Sequence, residues 1–181
     1  GETDVLIVSA GATANATNIT SFTADSSTSN SGTANLTTKV GGGTIDIGNS
    51  TTGAYSLTGL SGNDTLKGNG NADIINGGGG DDNIDGRGGN DEINGGAGDD
   101  IITVSSAGQG DGDTIDGGSG TDTLSLSSGS HAFATDAKLQ NINSITLAST
   151  STVIDLTGQT ESLTITGGAQ ADTITAGSGD D

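Results

Sequence analysis

The chain has 181 residues, of which 23 are acidic and 4 are Lys or Arg, giving a formal charge of −19. Such a balance excludes nucleic acid and anionic membrane surfaces as partners and favours cations. Cys is absent, which closes disulfides, thiol chemistry and Cys-based zinc sites, and Phe22, Phe133 and Tyr55 are too few aromatic residues for a conventional core.

In chain order, residues 1–58 are rich in Thr, Ser, Ala and Asn, with apolar residues at Val5 to Val8, Leu36, and Ile45 with Ile47. Leu36 to Ile45 is one nine-residue step and Leu57 to Leu66 another, so this segment reads as a degenerate β-solenoid, with a Ser/Thr-rich linker as the alternative. The opening GETDVLIV looks like the tail of a repeat and the closing AGSGDD like a repeat cut at its Asp, so the chain reads as a piece of a longer protein. No apolar run approaches the roughly 20 residues of a membrane helix, and this segment is expected to insert in no membrane.

Residues 59–125 are the informative part. From Gly59 to Thr103 five nonapeptides follow without a gap: GLSGNDTLK, GNGNADIIN, GGGGDDNID, GRGGNDEIN and GGAGDDIIT. Gly is first, Asp sixth and Leu or Ile eighth, as in Asp64/Leu66, Asp73/Ile75, Asp82/Ile84, Asp91/Ile93 and Asp100/Ile102. After the insertion Val104–Ala107 come GQGDGDTID with Asp113 and GGSGTDTLS with Asp122. The insertion predicts a bulge on one edge, and Asp111 in place of a Gly puts the site at Asp113 in doubt. A strict internal period means one small unit stacked on itself. The glycine half turns, since Gly accepts positive φ and close backbone approach. The other half runs extended with its Leu or Ile inward. Two nonapeptides make one turn of a flattened coil, so copies n and n+2 stack along one edge. Asp64, Asp82 and Asp100 then share one edge, and Asp73 and Asp91 the other. Carboxylates stacked about 5 Å apart repel by roughly 3 kcal/mol at an effective dielectric of about 20. A hard cation with several oxygen ligands removes that repulsion, and glycine-rich turns add backbone carbonyls to the ligand set.

These nonapeptides resemble the RTX, or repeat-in-toxin, β-roll. The resemblance implies an all-β fold, a right-handed parallel β-roll or β-solenoid with calcium-binding Gly/Asp loops, and Ca2+ as the bound ion. It also implies that each ion takes Asp carboxylates and main-chain oxygens from stacked loops. Carried onto this chain, the metal-ligating set is Asp64, Asp73, Asp82, Asp91, Asp100, Asp113, Asp122 and Asp172. With it go Gly59, Gly62, Gly68, Gly77, Gly78, Gly80, Gly86, Gly89, Gly95, Gly96, Gly98, Gly117, Gly118 and Gly120.

Residues 126–166 lose the Asp loops but keep the beat in Ile145 and Leu147, Ile154 and Leu156, and Leu163 and Ile165, which reads as calcium-poor solenoid rungs. His131 to Asn141 departs from the period and is expected as a protruding loop or one short helical turn. Residues 167–181 return to the repeat with GGAQADTIT and its Asp172, truncated at the end. Thr and Ser take outward strand positions, among them Thr146, Thr164, Thr166 and Thr173, without an evident ladder on every rung.

No catalytic constellation is visible: His131 has no acidic partner at helical or strand spacing and is expected to be exposed or loosely packed, and the periodic carboxylates are accounted for by metal. The chain is therefore expected to be no enzyme. The resemblance points to a calcium-dependent structural segment of a large secreted bacterial surface protein, such as an S-layer protein or RTX adhesin. Self-association into a surface lattice and cell-surface polysaccharide are the candidate partners besides calcium. The alternative is the export and folding module of an enzyme or toxin secreted by a type I system.

Overall fold

A computed structural model describes residues 6–105, 112–133 and 135–179. Every strand pair among them is parallel, as a coil that returns to the same edge once per turn requires. An eight-stranded sheet runs from Ser21–Thr23 through Thr44–Asp46, Thr65–Lys67, Asn83–Asp85, Ile101–Val104, Thr123–Leu126 and Ser144–Leu147 to Thr164–Thr166. A seven-stranded sheet faces it, from Thr13–Ile19 through Thr33–Thr38, Ser56–Thr58, Ile74–Gly79, Glu92–Ala97 and Thr114–Ser119 to Leu139–Gln140. A three-stranded sheet, Gly129–Ala132, Thr152–Asp155 and Thr173–Thr175, carries the C-terminal rungs, and Ile7–Val8 pairs with Ser29–Asn30 at the other end. The expected all-β solenoid is the fold, and no helix among the described residues is long and apolar enough to cross a membrane.

The core is built on two stacked columns, one from each sheet, with Val104, Leu126 and Leu147 adding a second inward residue to their strands. In the first sheet Ile45, Leu66, Ile84, Ile102, Leu124 and Ile145 sit in register and are fully buried. In the second sheet Leu36, Leu57, Ile75, Ile93, Ile115 and Leu139 do the same. Each such side chain contributes about 1.5–3 kcal/mol by leaving water, and the parallel ladders satisfy the backbone of strands only two to seven residues long. The columns reach into residues 6–58 and 126–166, where the acidic loops are absent. The stack ends at Ile174, which pairs with Ile154 yet is 44% exposed.

One expectation is corrected. His131 is buried, not loosely packed: Gly129–Ala132 pairs with Thr152–Asp155, which places His131 opposite Ile154. Its Nε2 lies 3.0 Å from the Ser127 carbonyl oxygen and its Nδ1 has no hydrogen-bond partner. The nine-residue beat breaks in this segment, so inward parity cannot be counted across it. The short helical turn does form, as a 3-10 turn at Asp136–Lys138. As expected, no hydroxyl ladder runs on every rung: Thr123, Ser144 and Thr164 align in one outward column and Thr103, Ser125, Thr146 and Thr166 in the next, but Ile101 and Asn83 interrupt the first and Asp85 and Lys67 the second. Unequal loop lengths hide this alignment from a count along the chain. The bulge expected at the insertion falls mostly outside the described residues, as does Asp111.

Candidate metal centre

Stacking the strands brings the sixth-position aspartates into two rows of buried side chains. Along the first edge the backbone N–H of Asp64 donates to Asp82 Oδ1 at 2.7 Å, that of Asp82 to Asp100 Oδ1 at 2.8 Å, and that of Asp100 to Asp122 Oδ1 at 2.9 Å. Along the second edge Asp73 donates to Asp91 Oδ1 and Asp91 to Asp113 Oδ1, both at 2.8 Å. Asp113, which the sequence puts in doubt, therefore takes its place in the row across a 22-residue step where 18 is the rule. The longer loop is absorbed without loss of register because a rung touches only its neighbours. Asp172 stands apart and accepts from Thr152 N–H at 2.9 Å.

The amide bonds use one oxygen of each carboxylate, and the fate of the other divides the loops into two kinds. In the loops of Asp64, Asp73 and Asp172, Oδ2 is taken by the loop's own second-position N–H: Leu60 at 3.4 Å, Asn69 at 2.8 Å and Gly168 at 2.8 Å. In the loops of Asp82, Asp91, Asp100 and Asp122, Oδ2 is buried and has no hydrogen-bond partner. The cause is backbone conformation at the second position. Gly78, Arg87, Gly96 and Gly118 lie in the left-handed region, at φ of 104°, 66°, 111° and 96°, which turns the peptide away from the Asp. Leu60, Asn69 and Gly168 do not, and their N–H groups cap it.

Each open oxygen faces a cradle that only glycine leaves empty. A Cβ on Gly77 would collide with Asp82 Oδ2 and the Gly95 carbonyl oxygen, and one on Gly95 with Asp100 Oδ2 and the Gly117 carbonyl oxygen. Gly117 meets Asp122 Oδ2 and the Asn141 carbonyl oxygen, and Gly86 meets Asp91 Oδ2. Gly59 and Gly68 line matching cradles with Asp64 and Asp73 and the carbonyls of Gly77 and Gly86. The fourth-position glycines Gly62, Gly80, Gly89, Gly98 and Gly120 are also left-handed and press against the backbone of the rung below. A pocket lined by a carboxylate oxygen and carbonyl oxygens suits a hard divalent cation. Among the described residues no three His, Cys, Asp or Glu side chains converge in one cluster, because the ladder supplies carboxylates one per rung.

The second edge ends on a cation of the protein's own. Below Asp73 the row has Tyr55, whose N–H donates to Asp73 Oδ1 at 2.7 Å. Gly48, at the second position of that loop as Asn69 and Arg87 are of theirs, opens on the Arg87 guanidinium instead of on a carboxylate. Arg87 Nη1 donates to the Gly68 carbonyl oxygen at 3.3 Å and pairs with Asp46 at 3.1 Å, while Nε lies 3.9 Å from Asp85.

Burial dominates the acid–base behaviour of the rows. Desolvation, partly opposed by the amide bonds and helped by neighbouring carboxylates, raises Asp82 and Asp100 to about 6 and Asp91 to about 8. Asp73 rises to about 6 and Asp122 also rises, again mainly through burial. Without a cation, these sites are costly to ionise.

Sequence reasoning missed Asn143, whose Oδ1 accepts the Asp122 N–H at 2.7 Å and so continues the first row by one rung. The signal was there: Asn143 precedes the inward Ile145 by two residues, as each Asp precedes its Leu or Ile. The family model for the RTX calcium-binding nonapeptide repeat matches the chain in four copies, at residues 51–84, 77–106, 107–130 and 164–181, together more than half of its length. No curated protein and no solved structure matches it.

Proposed function

The chain belongs to the family of RTX calcium-binding nonapeptide repeats, and we propose from there that Asp82, Asp91, Asp100 and Asp122 hold calcium in the glycine cradles of stacked loops. Gly77, Gly86, Gly95 and Gly117 leave the space and lend carbonyl oxygens to it. Asp64, Asp73, Asp113 and Asp172 complete the set. The observation that carries this reading is the run of buried carboxylate oxygens without a hydrogen-bond partner, each beside an empty glycine position. A buried acceptor left unsatisfied costs about 1–3 kcal/mol, more when charged, and a bound cation turns that cost into attraction.

The role is structural. Ordering each residue costs about 1–2 kcal/mol and Gly loses most, while one inward Leu or Ile per nonapeptide returns about 1.5–3 kcal/mol. The calcium-free roll is therefore marginal, and each site whose free calcium is about ten times its Kd adds about 1.4 kcal/mol. RTX repeats occur in secreted bacterial proteins, and extracellular calcium modules bind at about 0.1–1 mM. In this reading the segment folds and stiffens outside the cell, as a rod in a secreted surface protein of the S-layer or adhesin kind rather than as an enzyme. Far-UV circular dichroism in chelator and then in millimolar calcium tests it: a gain of β signal on adding calcium is the expected result, and a β spectrum indifferent to calcium defeats it. A planar lattice in negative-stain images with calcium is the expected sign of a surface-layer role, and isolated particles count against it.

A further inference from the structure

The two kinds of loop raise the question of what sets the second-position backbone. Residue type at that position does not: Gly168 is a glycine in a capped loop, whereas Arg87 is no glycine and sits in an open one. What separates the two groups is the residue two places earlier, the ninth of the preceding nonapeptide. It is Asn76, Asp85, Asn94 and Asp116 before the open loops of Asp82, Asp91, Asp100 and Asp122. Before the capped loops of Asp64, Asp73 and Asp172 it is Thr58, Lys67 and Thr166.

The chemistry follows from a competition for one N–H. Asn and Asp side chains accept from the backbone N–H two residues on, forming an Asx turn; Thr does so more weakly and Lys has no acceptor. Asp85 Oδ1 accepts the Arg87 N–H at 3.0 Å, and Asp116 Oδ1 accepts the Gly118 N–H at 3.0 Å. Held outward in this way in the Asp91 and Asp122 loops, the second-position N–H cannot reach the sixth-position Asp, whose Oδ2 stays free; the Asp82 and Asp100 loops share the left-handed second residue and carry Asn at the same ninth position. Without an outward acceptor, the same N–H turns inward and occupies the oxygen that a cation would use.

We propose that the ninth-position side chain is a positioning residue that decides whether the next loop is open to calcium: Asn or Asp opens it, Thr or Lys leaves it closed. The inference rests on the calcium reading above and adds to it a rule that ranks the sites. Loops of Asp82, Asp91, Asp100 and Asp122 fill first, and those of Asp64, Asp73 and Asp172 fill weakly because an amide must be displaced.

The test counts ions by native mass spectrometry on the full chain, titrated with calcium. Lys67→Asn gives the Asp73 loop an outward acceptor, and Asn69 beyond it tolerates the left-handed region. Lys67→Thr removes the same charge without a comparable acceptor. Lys67 is half-buried and Asn94 exposed, so replacing either leaves the inward columns intact. The expected result is one further tightly held ion in Lys67→Asn, none in Lys67→Thr, and one fewer in Asn94→Thr. Equal counts in wild type, Lys67→Asn and Asn94→Thr overturn the rule. A wild type that takes up no calcium at all removes the calcium reading itself, which is a separate and distinguishable outcome.

Discussion

The central loops, from Gly77 to Asp122, and the flanking rungs of residues 33–58 and 144–166 share one core and differ in their corners. Both stack a buried Leu or Ile on the same column in the same parallel register. In the flanks the corners close with groups of the chain itself, the Arg87 guanidinium at Gly48, the Glu161 carboxylate on Asn141 N–H, and neutral groups elsewhere. Ser50 Oγ lies 2.7 Å from Tyr55 Oη, and Gln159 Nε2 donates to the Phe133 carbonyl oxygen at 2.9 Å. In the centre the corners keep carboxylate oxygens that nothing in the chain satisfies. The difference teaches that the acidic corners are not needed to build the solenoid. Where they occur, they leave buried carboxylate oxygens without a partner among the described residues.

The strongest test of that contrast is to remove the open carboxylates together. Asp82→Asn, Asp91→Asn and Asp100→Asn combined should abolish about 4 kcal/mol of calcium-dependent stabilisation, read by calorimetry and denaturant unfolding with and without calcium. The same exchange at Asp64, Asp73 and Asp172 should cost less than half as much, and equal losses would erase the distinction between open and capped loops. A change to the shared core should instead ignore the boundary. Ile84→Ala in the centre and Ile145→Ala in the flank both empty a fully buried column position, and each should cost about 2–5 kcal/mol in urea unfolding. Ile174→Ala at the exposed end should cost clearly less.

Proton uptake sharpens the comparison further. The folded values of about 6 for Asp82 and Asp100 and about 8 for Asp91 lie above the ordinary 3.8. Between about pH 4 and pH 8 the folded calcium-free chain thus binds more protons than the unfolded one, and its stability falls as the pH rises through that window. Calcium competes with those protons, so its apparent affinity should rise over the same interval. Urea midpoints in chelator at about pH 5 and pH 8 check the first statement, and a higher midpoint at the upper pH would contradict it. The smallest effect is expected at the cation that closes the second edge. Arg87→Gly relieves a left-handed non-glycine residue and removes a partly exposed ion pair, and the two should offset to within about 1 kcal/mol in thermal unfolding.

Much of the site was legible because a period of nine fixes parity. Once Asp is sixth and Leu or Ile eighth, one carboxylate reaches a corner and one apolar side chain reaches the core on every strand. Assignment of Asp64, Asp82 and Asp100 to one edge, and of Asp73 and Asp91 to the other, needs nothing more. Where the count slips, legibility fails: His131 follows a break in the beat, and the outward hydroxyl column of Thr123, Ser144 and Thr164 crosses loops of unequal length. Asn143 was readable by its offset from Ile145 but carries no charge to draw the eye.

The sequence by itself determined the stacking unit, the two columns, the two acidic edges and the demand for a cation, since each follows from local stereochemistry repeated at a constant step. Only the tertiary structure decided which carboxylates are open. That choice turns on whether one N–H points outward or inward, and the peptide orientation becomes visible only when the rungs are stacked and every donor has chosen its acceptor.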